Sequence, residues 1–446
     1  MSDMTFRCIV MGAAGRDFHD VQTFFKSHPE FRVVAITATQ IPFIDRRAFP
    51  RELAGPSYDA DVPIVPEEEL PRLVREHAVD FVFLSYSDLS HEEVMHKASL
   101  AQSLGASFAL LGPRHTRLES AKPVVAVVAV RTGAGKSPIT QAVAKHLRAR
   151  GHRAGVLRHP MPYGDLRRQV VERFAVEADF DRFACTIEER EEYEPYVEAG
   201  LVIWAGVDYA AILREAERES DVILWDGGNN DGPFLRPDLT IVVCDALRPG
   251  HEVRYYPGET NLRSADVVVI DKVSGATPAA LAEVRANAAR LAPRAAVIEA
   301  DLELSVDAEL RGKRALVVED GPTVTHGGMP HGAGFALATR EGATIVDPRP
   351  HAVGTIAAAY AKYPHLGAIV PALGYSDAQR AELAETIAKS GAEVLVDASP
   401  ARLDRFMKLP LPVARVRYAF AQRSGPSLTG LVDAALERAL AAKGAS

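Results

Sequence analysis

Short apolar runs rich in Val, Ile and Phe alternate along the chain with stretches whose apolar residues recur at helical spacing. Runs at 6–11 (FRCIVM), 33–38 (VVAITA), 81–86 (FVFLSY) and 108–112 (FALLG) read as strands, with amphipathic stretches such as 91–104 between them. Strands separated by helices pair in parallel and bury both faces of the sheet. Residues 1–120 are therefore predicted to form a doubly wound, Rossmann-like α/β domain. A second unit, 121–310, opens with seven apolar residues (VVAVVAV, 124–130) and continues through RAGVLRH, VILWDGG, LTIVVCD and VVVIDK. The alternation resumes in 311–446 with ALVVEDG, TIVDPRP, AIVPALG and AEVLVDA, which predicts a C-terminal α/β unit. The alanine-rich tail, 431–446, reads as a helix that frays at its end.

Composition narrows the class. A chain of 446 residues with 47 % hydrophobic and 25 % charged content is expected to be a soluble globular protein of two or three domains. No run approaches the roughly 18 apolar residues of a membrane span, and the N-terminus enters a strand directly, so neither a membrane segment nor a secretory signal is expected. The formal charge of −8 argues against a nucleic-acid binder. Cys8, Cys185 and Cys244 are too scattered for a metal site or a disulfide framework, and Cys8 and Cys244 sit in apolar runs as small core residues. A cytoplasmic location is the expectation.

The apolar run at 124–130 feeds into RTGAGKS, 131–137, and a helical pattern follows. That is the setting of a P-loop, in which backbone N–H groups and a helix N-terminus surround phosphates. Arg131, Thr132, Gly133, Ala134, Gly135, Lys136 and Ser137 are the candidate nucleotide-binding residues. Lys136 is placed to reach the β- and γ-phosphates, and the Ser137 hydroxyl to hold Mg²⁺. The usual first glycine is Val130 here. The loop instead resembles the deviant form of dimeric P-loop proteins, with Arg131 at a second signature cation position, directed at phosphates either within a subunit or across a homodimer interface. Asp226, at the end of VILWD, fits a Walker B carboxylate for the metal. In VVVIDKVS, 267–274, Asp271 and Ser274 stand where the base-reading N-K-x-D of GTPases has Asn and Asp, with Lys272 retained as a nucleotide contact. Losing the second carboxylate favours ATP over GTP.

Basic residues cluster in loops at the carboxyl ends of strands, where open α/β sheets bind ligands. Arg158 and His159 lie in RHPMPYGD, and Arg248, His251, Arg254 and Arg263 in the run 248–263. Together they are candidate contacts for an anionic substrate. The acidic run TIEEREEYEPY, 186–196, offers Glu188 or Glu189 to a metal shell and Arg190 to substrate, or is a solvated helix start. The loop GPTVTHGGMPHGAG, 321–334, reads as lid or site material. Gly12, Gly15 and Arg16 after the first strand form a possible second anion cradle, or a simple strand-to-helix turn.

GAAGRDFHD, VRTGAGKS, RHPMPYGDL, TIEEREEYEP, WDGGNND, RPGHE, YPGETNLR, EDGPTVTHGGM and VDPRP occur in order across most of the chain. As a set they resemble the cyclic 2,3-diphosphoglycerate synthetase family. The resemblance implies an ATP- and Mg²⁺-dependent ligase: ATP phosphorylates 2,3-diphosphoglycerate, the neighbouring phosphate attacks, and phosphate leaves as the anhydride ring closes. Lys136, Arg131 and Asp226 would carry the phosphoryl transfer, with Ser137, Asp226 and Glu189 at the metal. The alternative is a P-loop GTPase acting as a regulatory or metal-delivery switch, and a kinase that stops at the phosphorylated intermediate is a third.

Overall fold

The computed structural model describes residues 5–12, 15–39, 47–159, 164–325, 329–372, 376–399 and 402–444. The chain divides into two compact units. The first comprises Met1–Ala184, Tyr196–Asp301 and Gln422–Ser446, and the second Cys185–Pro195 and Leu302–Ala421.

The first unit holds two α/β layers. Its N-terminal strands are Phe6–Gly12 (β1), Phe31–Ala38 (β2), Ala48–Phe49 (β3), Val62–Pro66 (β4), Phe81–Leu84 (β5), Leu89–Ser90 (β6) and Ser107–Ala109 (β7). All but β6 form a sheet of order β3-β4-β2-β1-β5-β7, parallel except for the short β3. Apolar side chains cover both faces: Phe18, Phe25, Ile36 and Phe49 pack on one, Leu70, Leu73, Leu84 and Val94 on the other. The strand order reverses between β1 and β5, so the loops after these two strands diverge and leave a crevice.

The following strands are Val124–Ala129 (β8), Ala154–Arg158 (β9), Glu172–Phe174 (β10), Val202–Ala205 (β11), Val222–Asp226 (β12), Leu239–Asp245 (β13), Tyr255–Tyr256 (β14), Val267–Asp271 (β15) and Ala296–Val306 (β16). Without β14, their order is β10-β11-β9-β12-β8-β13-β15-β16. Central β8 lies parallel to both neighbours, with Val127 opposite Asp226 and Ile241. Every residue of β8, β12, β13 and β15 is buried, as expected for parallel strands covered on both faces. Behind β12, Trp225 packs on Phe234 with ring centroids 4.7 Å apart. The antiparallel pair β6–β14 ties the loop after β5 to the loop after β13. Cys8 and Cys244 are buried, and burial raises both thiols.

In the second unit, Arg314–Glu319 (β17), Thr344–Ile345 (β18), Val370–Pro371 (β19), Val394–Ala398 (β20) and Val413–Ser424 (β21) pair in parallel in the order β21-β20-β17-β18, with β19 on the far end of β17. Its core of Val317, Leu337, Ile369 and Val396 is its own. The alanine-rich tail forms a helix at Leu428–Gly444. No helix among the described residues is long and apolar enough to cross a membrane.

Gly258 opens the helix Gly258–Arg263 against the end of β8, where an added Cβ would meet the Val130 carbonyl oxygen at 2.1 Å. Gly258→Ala is therefore expected to destabilise the protein by about 2 kcal/mol in urea unfolding. Gly444→Ala, with nothing within 4 Å of its Cβ, should change stability by less than about 0.5 kcal/mol. A Gly258→Ala midpoint equal to wild type would show that the loop after β8 yields freely.

Candidate functional site

The chain leaves β8 at Ala129, turns through Val130–Gly135 and enters the helix Lys136–Ala149. Gly135 caps that helix with φ +108°, a conformation that carries strain for any residue with a Cβ. The first N–H groups of a helix have no partner within it and point out of its N-terminus. The carbonyls of this turn are held by side chains. Asn261 Nδ2 donates to Ala129 O at 3.1 Å and Asn230 Nδ2 to Val130 O at 3.0 Å. Arg248 Nη2 donates to Thr132 O at 2.8 Å and Lys272 Nζ to Gly133 O at 2.9 Å. Arg248 and Lys272 in turn share Asp245, at 2.8 and 2.7 Å. Burial alone would raise Asp245, but Lys272 and Arg248 outweigh it and hold the carboxyl below its usual range. A loop whose acceptors are satisfied by fixed donors, and whose helix N-terminus faces outward, is a binding site for anions.

Two of the loop's side chains turn toward the N-terminal layer. Arg131 Nε lies 2.9 Å from Asp88, and its guanidinium sits 3.6 Å over the Tyr255 ring. Thr132 Oγ1 donates to the same carboxylate at 2.9 Å. Lys136 is buried and donates to Asn229 O at 2.5 Å.

Asp226, wholly buried at the end of β12, collects four donors. Ser137 Oγ lies at 3.3 Å, Thr140 Oγ1 at 3.2 Å and Arg158 Nη1 at 2.6 Å, and the Tyr196 hydroxyl completes the set. A P-loop Mg²⁺ needs only one or two protein oxygens, the rest of its shell being water and phosphate. The adjacent Ser137 hydroxyl and Asp226 carboxylate fit that need, and no cluster of three or more His, Cys, Asp or Glu suited to a metal occurs among the described residues. Glu189 and Arg190 belong to the second unit. There Glu189 accepts from Thr186 N at 2.7 Å and so caps the helix Ile187–Glu198, while Arg190 lies 3.8 Å from Glu194, which also pairs with Arg405.

Arg158, His159 and Arg248 gather around the P-loop, each beside a carboxylate. His159 Nδ1 is 3.0 Å from Asp231, and burial, reinforced by Arg158, Arg16 and Lys136 against the pull of Asp231, lowers its pKa to about 4. His251 packs against Tyr255 with the rings tilted and their centroids 4.9 Å apart, and its pKa is also lowered to about 4, first by burial and then by Arg248 and Arg131. Arg254 follows the short turn His251–Val253. Arg263 pairs with Glu259 on its own helix, at 2.6 Å. Residues 160–163 of the RHPMPYGD run, 13–14 of the first glycine turn and 326–328 of the 321–334 loop lie outside the described residues. Near Lys272, Ser274 is held by Asp301 through its N–H at 2.9 Å and its hydroxyl at 2.5 Å. Asn230 and Asp231 lie in WDGGNND and Asn261 in YPGETNLR, motifs that point to the family without naming a role for these side chains. Asp88, Asp245 and Asp301 carry no motif of their own; Asp245 ends β13, and Asp301 lies within β16.

Asp271 is fully buried, and burial raises its pKa from 3.8 to about 6 despite Lys272. The folded state is thus the better proton binder. The group favours folding below pH about 4, and that contribution is lost as pH rises through about 6. Asp271→Asn should therefore gain stability relative to wild type between pH 4 and pH 7, by up to about 3 kcal/mol. A difference that stays flat across that range would show that Asp271 titrates as it does in the unfolded chain.

No family model matches the chain. It is 54 % identical over 430 residues to arginine synthetase ArcE of Thermococcus kodakarensis, an alignment covering 96 % of each chain. Among solved structures it is similar to apo-form LpxK from Aquifex aeolicus in complex with ATP, with a TM-score of 0.43 and 12 % identity over 78 % of this chain and 95 % of that one. The hydrogenase maturation factor HypB from Archaeoglobus fulgidus matches 41 % of this chain and 82 % of its own, with a TM-score of 0.25 and 18 % identity.

Proposed function

We propose that this chain, which belongs to the same family as arginine synthetase ArcE, is an ATP-dependent synthetase that makes arginine from its ureido analogue and ammonia. Arginine differs from that analogue, L-citrulline, by a nitrogen in place of the ureido oxygen. Oxygen bound to such a carbon is a poor leaving group until it is phosphorylated. The γ-phosphate of ATP passes to the ureido oxygen and ADP is released. Ammonia then attacks the carbon, the C–O bond breaks, phosphate departs and the surplus proton is lost to solvent.

The P-loop supports the first half of this reaction. Lys136 and the helix N-terminus would bind the terminal phosphates, and Ser137 with Asp226 would hold Mg²⁺, which neutralises phosphate charge. Phosphoryl transfer needs position and charge more than a protein nucleophile. Arg131, braced between Asp88 and Tyr255, would lend positive charge from the loop's rim.

The observation that carries the reading is the 54 % identity across nearly the whole chain. The charge balance agrees with it. Arg131, Arg158, His159 and Arg248 each lie beside a carboxylate, so the basic loops do not add up to a surplus fit for a bisphosphate. A second reading, closure of cyclic 2,3-diphosphoglycerate with a homodimeric enzyme, is favoured by the ordered motifs from GAAGRDFHD to VDPRP. It uses the same transfer and replaces ammonia by the neighbouring phosphate.

Phosphorus-31 NMR with Mg-ATP separates them. L-Citrulline plus ammonium should yield arginine, ADP and phosphate in equal amounts, and Lys136→Ala should lower the rate at least about 100-fold. A new anhydride resonance formed only with 2,3-diphosphoglycerate would move the second reading to the front. GTP hydrolysis indifferent to both acceptors would replace both with a GTPase switch.

A further inference from the structure

At the crevice between β1 and β5 lies a group of charges that the nucleotide does not use. Arg16 opens the helix after β1, and its side chain is 13 % exposed. Its nearest carboxylate, Asp231, stands 3.9 Å from Nε, and its guanidinium lies 5.3 Å over the Phe234 ring. Among the described residues it makes no hydrogen bond. One helical turn on, Asp20 is 2 % exposed, and Ser85, just beyond β5, is 1 % exposed. Asp20 and Ser85 face each other: burial raises the Asp20 carboxyl to about 6, and the Ser85 hydroxyl partly offsets this. Yet Asp20 Oδ1, Ser85 Oγ and Asp231 Oδ1 are all buried without a well-formed hydrogen bond. From the P-loop layer, Tyr256 and neutral His159 face the same charges. Asn229, two residues before Asp231, receives Lys136 Nζ, so the group adjoins the terminal-phosphate end of the P-loop.

Buried polar atoms without a well-formed hydrogen bond are destabilising, and Asp231 Oδ1 together with the loosely joined Asp20–Ser85 pair, set around an unbonded guanidinium, mark a place shaped for a ligand. The charges are of both signs: Arg16, with the half-buried Arg117 guanidinium close enough to feel its charge, against the carboxyls of Asp20 and Asp231. A bisphosphate calls for cations alone, whereas a zwitterion calls for this mixture. We propose that the cluster binds the α-amino acid head of the substrate, Arg16 taking the α-carboxylate and Asp20 with Ser85 the α-ammonium, with the ureido end directed to Lys136. This rests on the amino-acid reading above and adds the residues that recognise the substrate.

The test is isothermal titration of the full chain, with Mg-ADP binding as the check of folding. L-Citrulline is compared with 4-ureidobutylamine, which lacks the carboxylate, and 5-ureidopentanoate, which lacks the amine. Arg16→Gln should weaken citrulline binding more than tenfold and leave 4-ureidobutylamine unchanged. Ser85→Ala removes only a hydroxyl and is the variant to rely on if Arg16→Gln no longer binds Mg-ADP. It should weaken citrulline severalfold and leave 5-ureidopentanoate unchanged. Equal losses for the analogues, or no loss at all, would overturn the assignment even where wild type makes arginine. A wild type that binds no ureido compound yet turns over 2,3-diphosphoglycerate would overturn the amino-acid reading itself.

Discussion

A phosphate-binding turn must aim its N–H groups at the ligand, and its carbonyls then face the protein, where each needs a donor. In this protein the donors come from outside the turn. Asn261 and Asn230 hold Ala129 O and Val130 O, while Arg248 and Lys272 hold Thr132 O and Gly133 O. Asn230, Arg248 and Lys272 rest on loops that follow β12, β13 and β15, and Asn261 on the helix Gly258–Arg263, so the shape of the turn is set by the order of the strands around β8. Val130 replaces the usual glycine without cost because that residue is buried and continues the strand, its N–H bonded to Val243 O at 3.0 Å.

The same arrangement explains why so many cations near the loop are paired. Arg248 and Lys272 can brace carbonyls only if their own charge is balanced, and Asp245 does this for both. Arg158 is balanced on Asp226, and Arg131 on Asp88. Such pairs inside a protein act as fixed dipoles more than as free charge. They stiffen the site, and on the proposed reading the attraction for phosphate would rest chiefly on the backbone N–H groups and Lys136.

Local signals were legible in the sequence because the physics behind them is local. The β8 run, the glycines after it and the helix beyond are contiguous, and the parallel α/β architecture follows from alternation alone. The partners of the site were not legible. Asp88 is 44 residues from Thr132, Asn261 is 132 from Ala129 and Arg248 is 116 from Thr132. A basic residue near a strand end looks the same in sequence whether it will meet a substrate phosphate or a carboxylate of its own chain. Ser274 illustrates the limit: Asp301, from the middle of the next strand, stands against it, and no spacing rule links the two.

A synthetase must hold nucleotide and acceptor in a single enclosure, since the phosphorylated intermediate would be lost to water otherwise. Two doubly wound layers offer one crevice each, and β6 paired with β14 keeps the loops that border them together. Asp88 sits in that seam, its N–H bonded to Asn230 Oδ1 at 2.8 Å and its carboxylate to Thr132 and Arg131. The seam therefore couples the turn that carries the phosphates to the loop after β5 that lines the second crevice. The phosphoryl step is common to any acceptor with an exposed oxygen. What distinguishes one acceptor from another is the charge opposite the P-loop, and on the proposed reading Arg16, Asp20 and Asp231 would supply there the charges of both signs that an amino acid requires.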